Sequence, residues 1–255
     1  MRKWLNLLGC TSLFYVSSCI GQVINIDREV KEDSVFKNWD VAIGVTLSSD
    51  KQKKNLIDGN FTGELVRNLP SHNMLLFVIR NDVVISGREK VQNEGMMHLR
   101  FRDRDTRQFS PEAFAQYQWN GIWGMDYRLL AGMNGRIRVM EKSGFDLYGG
   151  SGLFREWERW TQVQSATRSI WRWNNYLKMS AKLSGVLDLS VMSFLQFPLT
   201  GYFGRPRWYL ESNAYVNAGK RWNVVFHWDH IVDAATLLPV DHFFYGFSAG
   251  IQINY

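Results

Sequence analysis

Cysteine is nearly missing from this chain: among 255 residues the only thiols are Cys10 and Cys19, both close to the start. Everything downstream therefore lacks disulfides, thiolate metal centres and a cysteine nucleophile. Proline is sparse too, five in all, which leaves little room for a disordered linker and fits one large domain. Beyond residue 21 no stretch reaches the roughly eighteen apolar residues that a membrane-crossing helix needs. Nor is charge of one sign concentrated anywhere. Arg and Lys are interspersed with Glu and Asp, so there is no basic stripe and nucleic acid is not expected as a partner. The formal charge of +6 falls to +4 when Arg2 and Lys3 are set aside.

What the chain has in quantity is aromatic residues and alternation. Aromatics make up 15%, with eleven Trp, a content expected where rings sit at headgroup level on both sides of a bilayer. At the C-terminus Phe243, Tyr245, Phe247, Ala249, Ile251, Ile253 and Tyr255 alternate with Phe244, Gly246, Ser248, Gly250, Gln252 and Asn254. Successive side chains of a strand point to opposite faces, and an outer-membrane β-barrel strand sets its apolar face toward lipid. The other face here, Phe244 apart, is small and neutral. A soluble edge would be guarded by charge, proline or a bulge. Phe247, Ile251, Ile253 and Tyr255 are thus expected to mark a C-terminal assembly strand, read by barrel-assembly machinery, with outer-membrane lipid as the surrounding partner.

The same alternation predicts an all-β, antiparallel transmembrane β-barrel of about twelve strands over residues 38–255. The expected strands are 40–49, 60–68, 74–85, 88–102, one from 109, 125–140, 145–158, one around 171–182, 186–197, 207–218, 221–229 and the C-terminal one. An even count leaves both termini on one side. Ahead of them, Arg2 and Lys3, the apolar run Leu5 to Val16 and the small residues Ser17 to Gly21 read as an export signal, 1–21. A polar periplasmic lead, 22–37, follows. Cleavage after Gly21 removes both cysteines; the other reading takes Val16-Ser17-Ser18-Cys19 as a lipoprotein-type box with Cys19 acylated.

If the faces are assigned this way, Glu64, Glu94, Arg100, Glu112, Arg128, Arg136, Arg138, Asp146, Glu156, Arg172, Lys178 and Glu211 point inward. An unpaired charge away from bulk water is costly, so these residues are expected to form a lumen charge network, and Asp126 is placed on the same face. Trp119, Trp123, Trp157, Trp160, Trp171, Trp173, Trp208 and Trp228 fall near outer strand ends, and Trp39 and Trp222 near inner ends, as interface aromatics.

His227, Asp229 and His230, with Asp233, Asp241 and His242 near the following loop, are loosely spaced for an acid–base or metal set. In a strand His227 and Asp229 share a face while His230 points away. Asn60-Phe61-Thr62 spells a glycosylation sequon that a barrel strand does not use, and Gly149-Gly150-Ser151-Gly152 lacks the following helix of a phosphate cradle. No cofactor, metal or catalytic residue is expected.

Three segments carry a family likeness: Pro111-Glu112-Ala113-Phe114-Ala115-Gln116; Leu129-Leu130-Ala131-Gly132-Met133-Asn134-Gly135-Arg136; and Tyr148-Gly149-Gly150-Ser151-Gly152-Leu153-Phe154-Arg155-Glu156-Trp157-Glu158. Together they resemble a family of uncharacterised outer-membrane proteins often labelled salt-induced outer-membrane protein. The likeness runs over roughly Asn93 to Tyr255, with His98-Leu99-Arg100-Phe101 matching its polar–apolar alternation. Met133-Asn134 departs from the small residues usual there, and the N-terminal third does not align. The resemblance implies an outer-membrane barrel and carries over no catalytic residue.

The expected function is that of a bacterial outer-membrane barrel, structural or a narrow passive channel with a charged lumen. The alternatives are a lipid-modifying enzyme of the outer membrane and a soluble exported β-barrel binder.

Overall fold

A computed structural model of the protein describes residues 39–51, 55–69, 73–103, 108–161, 165–200, 205–219, 222–234 and 243–253. The expected signal, the Cys19 alternative, the polar lead, Asp241, His242 and Tyr255 lie outside these residues. The described chain is built of strands: β1 Trp39–Lys51, β2 Asn55–Asn68, β3 Asn73–Ser86, β4 Glu89–Asp103, β5 Phe109–Asn120, β6 Met125–Lys142, β7 Phe145–Trp160, β8 Ala166–Leu183, β9 Leu187–Pro198, β10 Arg207–Asn217, β11 Trp222–Asp233 and β12 Phe243–Ile253.

Each strand pairs antiparallel with its chain neighbours, giving one sheet in the order β1 to β12. Several connections are tight. Ser184 (φ 53°) and Gly185 (φ 66°) both sit in the left-handed region within the three-residue connection 184–186 between β8 and β9, a twist that matches its strands. Connections at the end where β1 begins are short, the longest being 104–108. At the opposite, distal end they lengthen to 199–206 and 234–242.

A flat sheet would hold β5 and β8 about 14 Å apart, at ~4.8 Å per strand. Yet Tyr176 Oη on β8 donates to Glu112 Oε2 on β5 over 2.9 Å, and Arg207 Nη1 on β10 donates to Glu156 Oε1 on β7 over 3.1 Å. Trp123, in the turn after β5, meets Phe244 of β12 with ring centroids 4.9 Å apart. The sheet therefore wraps round on itself as a barrel, and one face of every strand becomes an interior.

The outer face carries Met97, Leu99 and Phe101 of β4, Leu129, Met133 and Ile137 of β6, Leu153 and Trp157 of β7, Trp171, Trp173 and Leu177 of β8, and Phe243, Tyr245 and Phe247 of β12, all exposed. The inner face alternates with it, buried along much of β4 to β11 and half-buried along most of β2. β3 shows why it breaks the simple rule: Leu75, Phe77 and Ile79 face out while Met74, Leu76 and Val78 face in, where they pack with Val66 and Met96.

Three expected placements change. The β6–β7 ladder shifts register between Met125 and Tyr127, so Met125 is buried and Asp126 is exposed, where Asp126 pairs with Arg159 Nε at 3.2 Å. An extra residue on one strand reverses which face the chain presents before it. Trp160 is buried, and Trp123 packs against the interior apolar cluster together with Phe244. Neither ring belongs to the lipid-facing girdle.

Candidate functional site: the barrel interior

Inward side chains sort into layers because each strand contributes one residue per two to each height. At the distal end lies an ion-pair network. Glu156 of β7 is its centre: Oε1 meets Arg128 Nε at 3.1 Å and Arg207 Nη1 at 3.1 Å, and Oε2 accepts from Arg172 Nε. Glu158 Oε2 accepts from Arg128 Nη2 over 2.9 Å, while its Oε1 lies 2.5 Å from Arg168 Nε. Asp233 Oδ2 accepts from Arg207 Nε over 2.8 Å. Four guanidinium groups thus share three carboxylates. Trp160 borders the network, with the Arg128 guanidinium 5.6 Å from its ring centroid.

Below it lies an apolar layer: Phe114, Leu130, Phe154, Tyr176, Met192, Phe194, Tyr209 and Ile231, one or two from each strand between β5 and β11. Rings pack in a chain, Tyr176 to Phe194 at 5.6 Å and Phe194 to Tyr209 at 6.2 Å between centroids. Packing of this kind excludes water.

Toward the end where the barrel begins, a second charged layer follows. Arg102 Nε donates to Glu112 Oε1 over 2.5 Å, Arg136 Nη1 stands 3.9 Å from the same oxygen, and the Arg136 guanidinium lies 3.9 Å from the Tyr148 ring centroid. Arg100 and Lys178 are buried at this side of the interior as well. Arg138 and Asp146 are only half-buried, at the strand ends; Arg138 Nη1 bonds Glu141 Oε2 over 2.5 Å next to a register shift between Arg138 and Met140. Glu64 is half-buried on β2.

Carboxylates on the remaining wall are met mainly by amides. Glu94 accepts from Asn120 Nδ2 at 2.7 Å and Gln92 Nε2 at 2.8 Å, and Asn60 donates to Asp82. His98, wholly buried, bonds Gln116 Oε1 through Nδ1 at 2.7 Å and stacks on Phe114. On β10 and β11 a chain of bonds runs from Tyr209 Oη to Glu211 Oε2 (2.9 Å), from Asn213 Nδ2 to Glu211 Oε1 (3.0 Å), from Asn213 Oδ1 to His227 Nδ1 (2.8 Å), and from His227 Nε2 to Asp229 Oδ1 (3.4 Å). Glu211 accepts from both Tyr209 and Asn213, which orients the Asn213 amide so that its Oδ1 faces His227 Nδ1.

His230 turns to the outer face, ringed by Trp208 (4.9 Å), Phe243 (4.9 Å) and Trp228 (6.2 Å). The described histidines therefore split between two faces, His98 and His227 inside and His230 outside, and form no common site. Among the described residues no group of three His, Asp or Glu side chains is arranged to hold a metal ion.

The strand alternation of β12 hides one further match: Gly246-Phe247-Ser248-Ala249-Gly250 spells Gly-x-Ser-x-Gly. It lies within a strand, whereas a nucleophile elbow needs a strand-to-helix turn. By backbone register Ser248 stands opposite His227, and His227 opposite Asn213. A search for the motif finds it in the sequence; its row-mates come only from strand pairing.

Of the expected interface rings, Trp157, Trp171, Trp173, Trp208, Trp222 and Trp228 are exposed on the outer face and Trp119 is half-buried. Phe247 is exposed; Ile251 and Ile253 are placed by backbone register opposite Val224 and Trp222.

No protein-family model matches the chain, and no curated protein matches it. Among solved structures it is similar to the NanC porin, at 8% identity and a TM-score of 0.47 over 84% of this chain and 99% of that one. It is also similar to the translocator domain of the autotransporter NalP from Neisseria meningitidis, at 14% identity and a TM-score of 0.49 over 88% of this chain and 90% of that one.

Proposed function

We propose that this chain is a bacterial outer-membrane β-barrel whose interior is closed by its own side chains, a structural element of the membrane rather than a diffusion pore. The observation that carries the closed reading is the apolar layer. Leu130, Phe154, Met192, Phe194 and Ile231 are buried between two charged layers, and a conducting path would need a wet connection through them. The exposed apolar outer face supports the membrane location, because a continuous hydrophobic band of this size on a soluble protein would drive association. The resemblance to the salt-induced outer-membrane proteins agrees with this reading.

Single-channel recording in a planar bilayer tests the closed interior. Folded protein is expected to stay silent. Discrete current steps that change ion selectivity in the Arg136→Ala, Arg138→Ala double variant would overturn the closed reading in favour of a narrow charged channel.

One observation favours a second reading, a hydrolase. Ser248, His227 and Asn213 share one row of three adjacent strands, the residue types of a nucleophile, a base and an orienting amide. His227 Nε2, however, is directed at Asp229. Product analysis with phospholipid and short-chain ester substrates is expected to give nothing above the heat-denatured barrel; turnover abolished by both Ser248→Ala and His227→Ala would establish the hydrolase.

A further inference from the structure

We propose that Arg155, on the outer face of β7, anchors a binding site for the phosphate of an anionic membrane lipid in the leaflet at the distal end. The site presupposes the outer-membrane location proposed above. Arg155 is half-buried on the outward row of β7, between Leu153 and Trp157, both exposed. Its row-mates by strand pairing are Ala131 on β6 and Trp171 on β8.

The guanidinium is positioned but has no counter-ion. Nε donates to Ser169 Oγ over 2.9 Å, and the group lies 5.6 Å from the centroid of the Trp171 ring. Its side chain makes no other hydrogen bond and no ion pair among the described residues. Asp126, higher on the same face, is already engaged: Oδ2 stands 3.2 Å from Arg159 Nε and Oδ1 accepts from Thr161 Oγ1 over 2.6 Å. The connection after β7 reads Thr-Gln-Val-Gln-Ser over 161–165 and brings no acid.

Placement selects the anion. Ser169 lies two residues distal of Trp171 on β8, so the side chain leans toward the distal end, as a long cation does when its stem lies on apolar surface and its head seeks the interface. One row below, Leu153 pairs with Trp173 and both are exposed; one row above Trp157, Arg159 faces Thr167. The outer face around Arg155 thus passes from apolar to polar, flanked by Trp157 and Trp171, and such a passage is where lipid headgroups meet a barrel. The anion at that level is the lipid phosphate. An arginine takes two phosphate oxygens on its Nη1–Nη2 edge while Nε stays on Ser169. A zwitterionic headgroup offers the same phosphate already matched by its own ammonium, so a lipid with net negative charge binds more tightly.

The test uses the whole mature barrel folded in neutral detergent and titrated with phosphatidic acid or with phosphatidylcholine of the same acyl chains, bound lipid being counted by native mass spectrometry. Wild type is expected to hold one phosphatidic acid in clear preference to phosphatidylcholine, and millimolar inorganic phosphate is expected not to displace it. Arg155→Gln is expected to weaken phosphatidic acid about tenfold, the worth of a charge-assisted hydrogen bond or two, and Arg155→Lys to keep part of the preference as a point charge. Lys182→Gln, exposed near the proximal end of β8, leaves it unchanged.

Equal binding of the two lipids by wild type, binding that Arg155→Gln leaves intact, an equal loss in Lys182→Gln, or displacement by inorganic phosphate would overturn the proposal. Insertion into vesicles, read by quenching of Trp171 with brominated acyl chains, is measured separately. A barrel that does not insert fails the outer-membrane reading and the lipid site with it; one that inserts without preferring the anionic lipid fails the lipid site alone. Should Arg155→Gln fail to fold, Arg155→Lys and the contrast between the two lipids still decide.

Discussion

Arg172 donates from Nε to Glu156 across the β7–β8 ladder with neither side chain exposed to any degree. Both ends of this bond are charged and fully withdrawn from water, so neither tolerates loss of the other. Glu156 also holds Arg128 and Arg207, which makes it the shared acceptor of three strands.

Glu156→Ala is expected to destabilise the barrel by about 3–5 kcal/mol, the range for breaking a buried ion pair from one side. Urea unfolding in lipid vesicles, followed by tryptophan fluorescence, measures it. A loss no larger than that of an exposed pair such as Asp126 with Arg159 would contradict the central role given to Glu156.

Lysine at Leu153 or Phe247, both exposed on the outer face, is expected to cost about 2–4 kcal/mol near the bilayer midplane and to reduce membrane assembly. Lysine at Asn217, exposed at the end of β10, is expected to be tolerated. Equal assembly of all three variants, read by heat-modifiable mobility, would mean that the outer face does not meet lipid.

Variants that keep a single tryptophan separate the two faces. Acyl-chain brominated lipid is expected to quench Trp171 strongly and Trp160 weakly, since the first is exposed on the outer face and the second is buried. Strong quenching of Trp160 would put that ring back in the girdle.

Gly152 and Gly219 give a backbone test. A Cβ on Gly152 would lie 2.0 Å from the Met133 carbonyl oxygen and 2.6 Å from Asn134 Cα, whereas one on Gly219 meets nothing within 4 Å. Gly152→Ala is expected to lose roughly 1–3 kcal/mol, the usual cost of overpacking, and Gly219→Ala to change stability little, both read from urea midpoints.

Much of the fold was legible in period-two alternation, because β4, β6 and β8 carry strong contrast between faces: His98, Arg100 and Arg102 against Met97, Leu99 and Phe101, for example. Where contrast vanishes the pattern is silent. Met74 to Ile79 is apolar on both faces, so its inward half, Met74, Leu76 and Val78, reads no differently from its outward half. A single bulge between Met125 and Tyr127 reversed the side of Asp126, and no composition rule marks its position.

The interior site was legible in part. Alternation brought Arg128, Glu156 and Arg172 to one face, but their convergence with Arg207 depends on how far the sheet curls, which is a property of the whole ladder. The apolar layer is illegible for the same reason: Leu130 and Phe154 sit singly between a charged residue and a glycine on the inward face and become a cluster only when seven strands meet. Ser248 was hidden differently, by a strand pattern strong enough to mask a second motif written in the same five residues.

The chain-order pairing of the strands also has a bearing on how the barrel reaches its final state. Among the described residues every ladder joins sequence neighbours, so hairpins can form one at a time with little loop-closure entropy. The bonds from Arg207 to Glu156 and from Tyr176 to Glu112 span three strands each, and they exist only after the intervening hairpins are in place. A strand slipped by two residues would keep its apolar face outward and its backbone bonds intact, yet would carry its charge away from these partners. Local pairing thus sets the pace of assembly, and the interior ion pairs discriminate the correct register from its near neighbours once the sheet has curled.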